Sequence, residues 1–532
     1  MATYTAILAG GDWNTNATWG GTGHPVAGDT ANITGIMLAP VTLGGACACE
    51  VLNMTGASGT ALAFGNQTLT LGASNTGSIK LAGTITAGTG GLIINGTSTL
   101  TSNSVTFAPK ITFQTGTVTL VGNWTNTALI TFSVGNTKLL QTTSEQLIAN
   151  GGVTFSASST AGTNVPIVIN NTGTLTFGAI TWSGPIIFNY AGNVIVSGNS
   201  GTLSGLVSFN AATNLIGAGT IISIGAGGLT LNSDTGTSPV TTLKLTNTQT
   251  INSNGHTCYN PVNLAVAGTI TMVGNWINNG LVTWSAAANV NKTTTETLTA
   301  NGGISMTAST GTTGTATVIW AGGTWTGFTA APSYAFYPTL IIQPSVSNCT
   351  FTSNTYFIPK TSVTYVHSTY TVVTNGVKLY ANTAGLTLAT DDGTAHIVWD
   401  IIDFASGGTL SSTTNLWCGT LNAYNYSSTA EIISMTAGIT LDVSTAMNMS
   451  SSNHFSLLYP ITLQSATAAS VYLNYHGTRA NCNVSGMNFT WIDASGSAQA
   501  IDNYYGGTLS NTVNIINRTT ADYGGSDIFG IV

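Results

Sequence analysis

A segment reading Val118-Thr-Leu-Val-Gly-Asn-Trp-Thr-Asn126 returns 152 positions later as Ile270-Thr-Met-Val-Gly-Asn-Trp-Ile-Asn278. Leu129-Ile-Thr-Phe-Ser133 returns as Leu281-Val-Thr-Trp-Ser285, and Pro109 as Pro261. After a one-residue gap, Ala149-Asn-Gly-Gly-Val-Thr-Phe-Ser-Ala-Ser158 returns as Ala300-Asn-Gly-Gly-Ile-Ser-Met-Thr-Ala-Ser309. A module has been copied along the chain, approximately over residues 101–160 and 252–310. Linear, repeat-stacked architectures tolerate such copying because each unit contacts only its neighbours.

The runs inside and around the copies identify the unit being stacked. Leu69-Thr-Leu71, Gly91-Leu-Ile-Ile94, Gly173-Thr-Leu-Thr-Phe177, Asn193-Val-Ile-Val196 and Gly228-Leu-Thr-Leu231 are short and rich in β-formers, and Gly, Asn or Ser separates them. Runs this short, with turns of similar length, fit the strands of a solenoid coil better than those of a sandwich. Composition excludes helix as the main element. Charged residues are 5% of the chain, against roughly 25% in ordinary domains, and surface helices need charged faces. Disorder is excluded by a 42% apolar content gathered into strand-like runs. The expected fold is all-β: a parallel, right-handed β-helix with an internal duplication and a β-rich C-terminal region. Inward Val, Ile, Leu and Phe would form columns, and outward Thr, Ser and Asn would form ladders.

Three regions follow from texture. Residues 1–45 form an N-terminal cap or attachment segment, 46–330 the duplicated solenoid, and 331–532 a region richer in Tyr and carboxylates. Ten of the 16 acidic residues lie from Asp391 onward. In the first region Trp13 and Trp19 stand six apart, followed by His24-Pro25-Val-Ala-Gly28-Asp29. This opening resembles that of bacteriophage fibre and spike proteins that enter a parallel β-helix. The segments Cys482-Asn-Val-Ser-Gly-Met-Asn-Phe-Thr-Trp-Ile-Asp493 and Asn503-Tyr-Tyr-Gly-Gly507 are similar to the last rungs of such proteins. The resemblance implies a structural virion protein of a tailed phage, displayed on the virion surface. It would mediate assembly or host attachment and assemble as a homotrimer or larger oligomer with other virion proteins, against a host surface glycan or receptor. Structural residues expected on this reading are Trp13, Trp19, Pro25 and Asp29 at the cap, and Trp124 and Trp276 in the two copies.

Two other functions compete. A secreted adhesin or self-assembling filament would carry a signal peptide before Met1, and would have glycans on some of its many Asn-x-Ser/Thr sequons. A glycan depolymerase would present paired carboxylates on one face. Its candidates are Asp400, Asp403 and His396, beside Asp391 and Asp392, with His476, Arg479 and Asp493 as a second group; the competing reading of all of these is turn and strand-flank chemistry. Arg479 and Arg518 are the only arginines, which disfavours a lyase acting on anionic sugar.

The six cysteines are too sparse for a disulfide framework and lack CxxC spacing, so they read as small buried hydrophobes. No cofactor or metal motif stands out. Nine basic residues scattered over 532 positions offer no patch for nucleic acid or anionic lipid. No apolar run is long enough for a membrane helix.

Overall fold

The computed structural model describes residues 1–518 apart from 73–75, 135–136, 160–161, 199–200, 328–334, 354, 382–383, 391–396, 405–408, 413–414, 426–430, 452–460 and 505–507. The chain is all-β, 2% helical, with parallel strands stacked as a β-solenoid of about 20 turns. It divides into two compact units, Met1–Asn263 with Ile270–Asn279, and Leu264–Thr269 with Gly280–Val532. The change in composition near residue 330 falls inside the second unit.

In the first unit, one sheet runs through Thr3–Thr5, Thr30–Asn32, Val51–Asn53, Thr76–Lys80, Thr97–Thr101, Gly116–Val121 and Thr137–Gln141, one strand from each coil. A second sheet shows how side chains sort. Leu69, Leu92, Ile111, Ile130, Val153, Leu175 and Val196 are in register, and all are buried. Two residues further along each strand come Leu71, Ile94, Phe113, Phe132, Phe155 and Phe177. The four phenylalanines stack with centroids 5.1, 5.4 and 5.4 Å apart and planes within 13°. Between these columns stands the outward one: Thr70, Ile93, Thr112, Thr131, Thr154, Thr176 and Ser197. Strand alternation sends successive residues to opposite faces, so a coil adds two apolar side chains inside and, except at Ile93, one hydroxyl outside.

Turns follow the same rule of like above like. Asn189 donates to Asn170 at 3.0 Å, Asn232 to Asn210 at 2.8 Å, and Asn254 to Asn232 at 2.9 Å. Gly116, at φ +99°, lies so close to Gly96 that a Cβ there would stand 2.4 Å from its backbone. A side chain at that turn would part the coils.

The two copies of the module fold alike locally. Trp124–Asn126 and Trp276–Asn278 are both three-residue strands with the outer two residues buried, and both tryptophans are 0% exposed. The turn Thr142-Thr-Ser-Glu145 has its counterpart in Thr293-Thr-Thr-Glu296. In each, the first two threonines donate their hydroxyls to the glutamate, and the second also donates its backbone N–H.

In the second unit, Leu298, Val318, Leu340 and Val363 form an inward column. Trp320 meets Trp325 at 5.4 Å and Phe351 at 4.8 Å, while Phe357 stacks on Trp399 at 5.9 Å. The later strands lengthen: Leu416–Asn425 has 10 residues and Thr440–Ser451 has 12. The next coil divides. Val471–Tyr475 pairs with the beginning of Thr440–Ser451 and Cys482–Ser485 with its end. The exposed bulge between them carries the short 3-10 helix Arg479–Asn481.

Candidate functional site

At the N-terminal end, Trp13 and Trp19 pack edge to face at 5.0 Å and are 0% and 3% exposed. Each indole N–H has a carbonyl acceptor: Pro25 O at 3.1 Å for Trp13 and Trp13 O at 2.7 Å for Trp19. Asp29, also buried, accepts from Ala2 N at 2.7 Å and Val26 N at 3.3 Å. The four residues singled out in the opening motif therefore belong to one packed corner of the first coils. Beside it, Ile7, Leu8, Ile36 and Leu38 are 42%, 52%, 71% and 81% exposed, with Leu38 N bonded to Leu8 O at 2.8 Å.

His396, Asp391 and Asp392 lie outside the described residues. Asp400 accepts from Gly376 N at 2.6 Å, across the turn of the preceding coil. Asp403 stands in register between Tyr380 and Asn422. Partial burial pushes its carboxyl above the usual carboxylate range, against the opposing pull of the Lys378 ammonium. Lys378 itself sits 5.0 Å above the Tyr356 ring. Beyond Asn422 the column continues as an amide ladder, Asn448 donating to Asn422 and Asn483 to Asn448, both at 3.0 Å. Asp400 thus supports a turn, while Asp403 belongs to an outward polar column.

His476, Arg479 and Asp493 each bond to a different partner rather than to one another. His476 Nε2 lies 3.0 Å from Asp442 Oδ2. Arg479 pairs with Asp502, whose other oxygen accepts from Arg518 Nε at 2.8 Å. The chain's two arginines thus enclose one carboxylate that is only 6% exposed. Asp493 accepts from Ser495 N at 2.9 Å. Asp442, Asp502 and Arg518 were not anticipated as partners, because they lie on other coils.

The partner of His476 marks an outward face. Val398, Trp417, Asp442 and Asn474 are in register on four successive strands. Each is at least partly exposed, while its flanking neighbours point inward and are buried. Diagonal to them, Thr440, Tyr472 and Asp493 form a second outward column, with Tyr472 42% exposed. The aromatic enrichment after residue 330 therefore has two destinations: Trp399, Phe357 and Tyr365 are core, whereas Trp417 and Tyr472 face out.

All six cysteines are free and buried. Desolvation raises their thiols, to about 12 for Cys258, Cys349 and Cys418 and about 11 for Cys47 and Cys482. Among the described residues no three His, Cys, Asp or Glu side chains gather as a metal site, and no helix is long and apolar enough to cross a membrane. No family model, curated protein or solved structure matches the chain.

Proposed function

We propose that this protein is a non-catalytic structural component of a tailed-bacteriophage virion: a fibre, spike or other surface appendage that serves assembly and attachment to the host surface. The observation carrying the reading is the solenoid of about 20 turns, faced by Thr, Ser and Asn ladders rather than by charge. Coils are added by repetition, and neutral ladders allow copies to lie side by side. The carboxylates considered for glycan cleavage support it further, since Asp400 is engaged by the backbone N–H of Gly376 and Asp493 by that of Ser495. The exposed Ile7, Leu8, Ile36 and Leu38 suit an attachment end buried against another virion subunit, because contiguous apolar surface of this kind marks interaction sites. Self-association as a homotrimer belongs to the same proposal.

Mass spectrometry of purified virions tests it. Recovery of this chain in stoichiometric amounts with capsid and tail proteins is the expected result; its absence overturns the reading. Light scattering on the purified protein should give a mass three times that of one chain.

A further inference from the structure

We propose that the outward face bearing Trp417, Asp442, Tyr472, Asn474, His476 and Asp493 is a binding site for a neutral glycan of pyranose sugars. It gives the attachment role a ligand class, yet it can be tested on the purified chain whether or not that chain is a virion component.

The distribution of tryptophan is the first argument. Of the 11 in the chain, nine are in the buried core: Trp13, Trp19, Trp124, Trp182, Trp276, Trp284, Trp320, Trp325 and Trp399. Trp417 and Trp491 are partly exposed, and both border this face. Trp417 is in register with Asp442, and Trp491 accepts from Val471 N at 2.9 Å, next to Tyr472. Elsewhere in the solenoid outward strand positions are mainly Thr, Ser and Asn. An indole is an exception at such a position.

Geometry is the second argument. Parallel neighbours lie about 4.8 Å apart, so Trp417, Asp442 and Asn474 project side by side at a spacing comparable with one sugar ring. An aromatic ring beside hydrogen-bonding groups is the arrangement that recognises a pyranose, with its apolar C–H face and its rim of hydroxyls. The rings supply rigid area at little entropic cost. His476 holds Asp442 at 3.0 Å through Oδ2, so the carboxylate is oriented before any ligand arrives. The Asn474 side chain offers both an amide donor and an acceptor.

Charge selects the ligand. Among the described residues the face carries two carboxylates, Asp442 and Asp493, and no lysine or arginine; the nearby Arg479 is engaged by Asp502. A uronate or sialate would meet repulsion there. Neutral hexoses and N-acetylhexosamines would not.

The experiment uses the full chain and linear neutral hexasaccharides of glucose, mannose, galactose and N-acetylglucosamine, titrated calorimetrically, with polygalacturonate and polysialate as anionic comparators. At least one neutral oligosaccharide should bind, and neither polyanion should. Trp417→Ala and Tyr472→Ala should each weaken binding by about tenfold, whereas Asn422→Ser, on the neighbouring ladder, should leave it unchanged. Tyr472 is exposed, so its replacement keeps the test valid should Trp417→Ala fail to fold. No neutral sugar bound, preference for a polyanion, or binding that survives Tyr472→Ala would each overturn the proposal. None of these outcomes bears on whether the chain is found on virions.

Discussion

Phe155 offers the sharpest test of the stacked core. It is fully buried and lies between Phe132 and Phe177, each at a centroid distance of 5.4 Å, with Trp182 against it at 4.9 Å. Phe155→Ala removes a buried ring, which costs about 3–5 kcal/mol in a well-packed core. A second phenylalanine provides an internal reference: Phe188, 1% exposed, stacks on Phe209 at 4.8 Å. The two truncations delete the same atoms from equally buried places, but Phe155 loses two more ring contacts. At about 0.5–1.5 kcal/mol per aromatic pair, Phe155→Ala should cost about 1–3 kcal/mol more than Phe188→Ala. Native-state hydrogen exchange is the suitable assay, because a stack of coils opens locally. Protection should fall most on strands Ile130–Phe132, Val153–Phe155 and Thr174–Phe177. Strands beyond Leu229–Leu231 should keep theirs. Costs equal within about 0.5 kcal/mol, or a uniform loss of protection along the chain, would refute the idea that the phenylalanine column acts as a unit.

Three further outcomes are expected. Hydrogen bonds from the Thr142 and Thr293 turns hold the Glu145 and Glu296 carboxyls down at about 2, against an ordinary 4.5. A depressed carboxylate stabilises fully above its unfolded value and loses that contribution as pH falls through its folded value. The native chain should therefore lose stability between about pH 4.5 and 2, and Glu145→Gln with Glu296→Gln should flatten that part of an acid-unfolding curve. Because burial keeps the six thiols protonated, Ellman's reagent at pH 8 should label almost none in the folded protein and all six in urea; rapid labelling of the native chain would contradict the burial. Asp502→Ala leaves Arg479 and Arg518 without their shared carboxylate and should cost about 1–3 kcal/mol, read as lowered hydrogen-exchange protection in Cys482–Ser485 and Ile501–Tyr504.

What could be read from the residues alone depends on whether a feature is local in the chain or arises between coils. The alternation in Thr174–Phe177 and the copying of Trp124 as Trp276 are local. They pointed to parallel stacking and to matching buried positions. The surface pairs are not local. Asp400 meets Gly376 across 24 residues, Arg479 meets Asp502 across 23, and His476 meets Asp442 across 34. These separations differ because the coil length changes where the 12-residue strand Thr440–Ser451 gives way to two shorter ones. Proximity in sequence therefore grouped His476 with Arg479 and Asp493, whereas coil register sends each to a different partner. Which of the aromatic residues after residue 330 face outward was equally hidden, since the register of the Trp417 strand shifts between Cys418 and Thr420 and simple alternation cannot be carried through it.

The scarcity of charge is itself a consequence of this geometry. In a parallel in-register stack, a residue repeated on the next coil stands about 4.8 Å from its copy. Two like charges at nearly that distance repel by about 1 kcal/mol in water and about 4 kcal/mol near a protein surface. Duplicating a module with a charged outward column would multiply that cost at every coil. An asparagine column behaves in the opposite way, because each amide both donates and accepts. Asn210, Asn232 and Asn254 thereby turn repetition into hydrogen bonds of 2.8 and 2.9 Å. Several of the carboxylates that do occur are paired across coils with an opposite or titratable partner: Asp234 with His256, Asp442 with His476, and Asp502 with both arginines. Growth by copying and a surface almost free of charge are therefore one physical requirement.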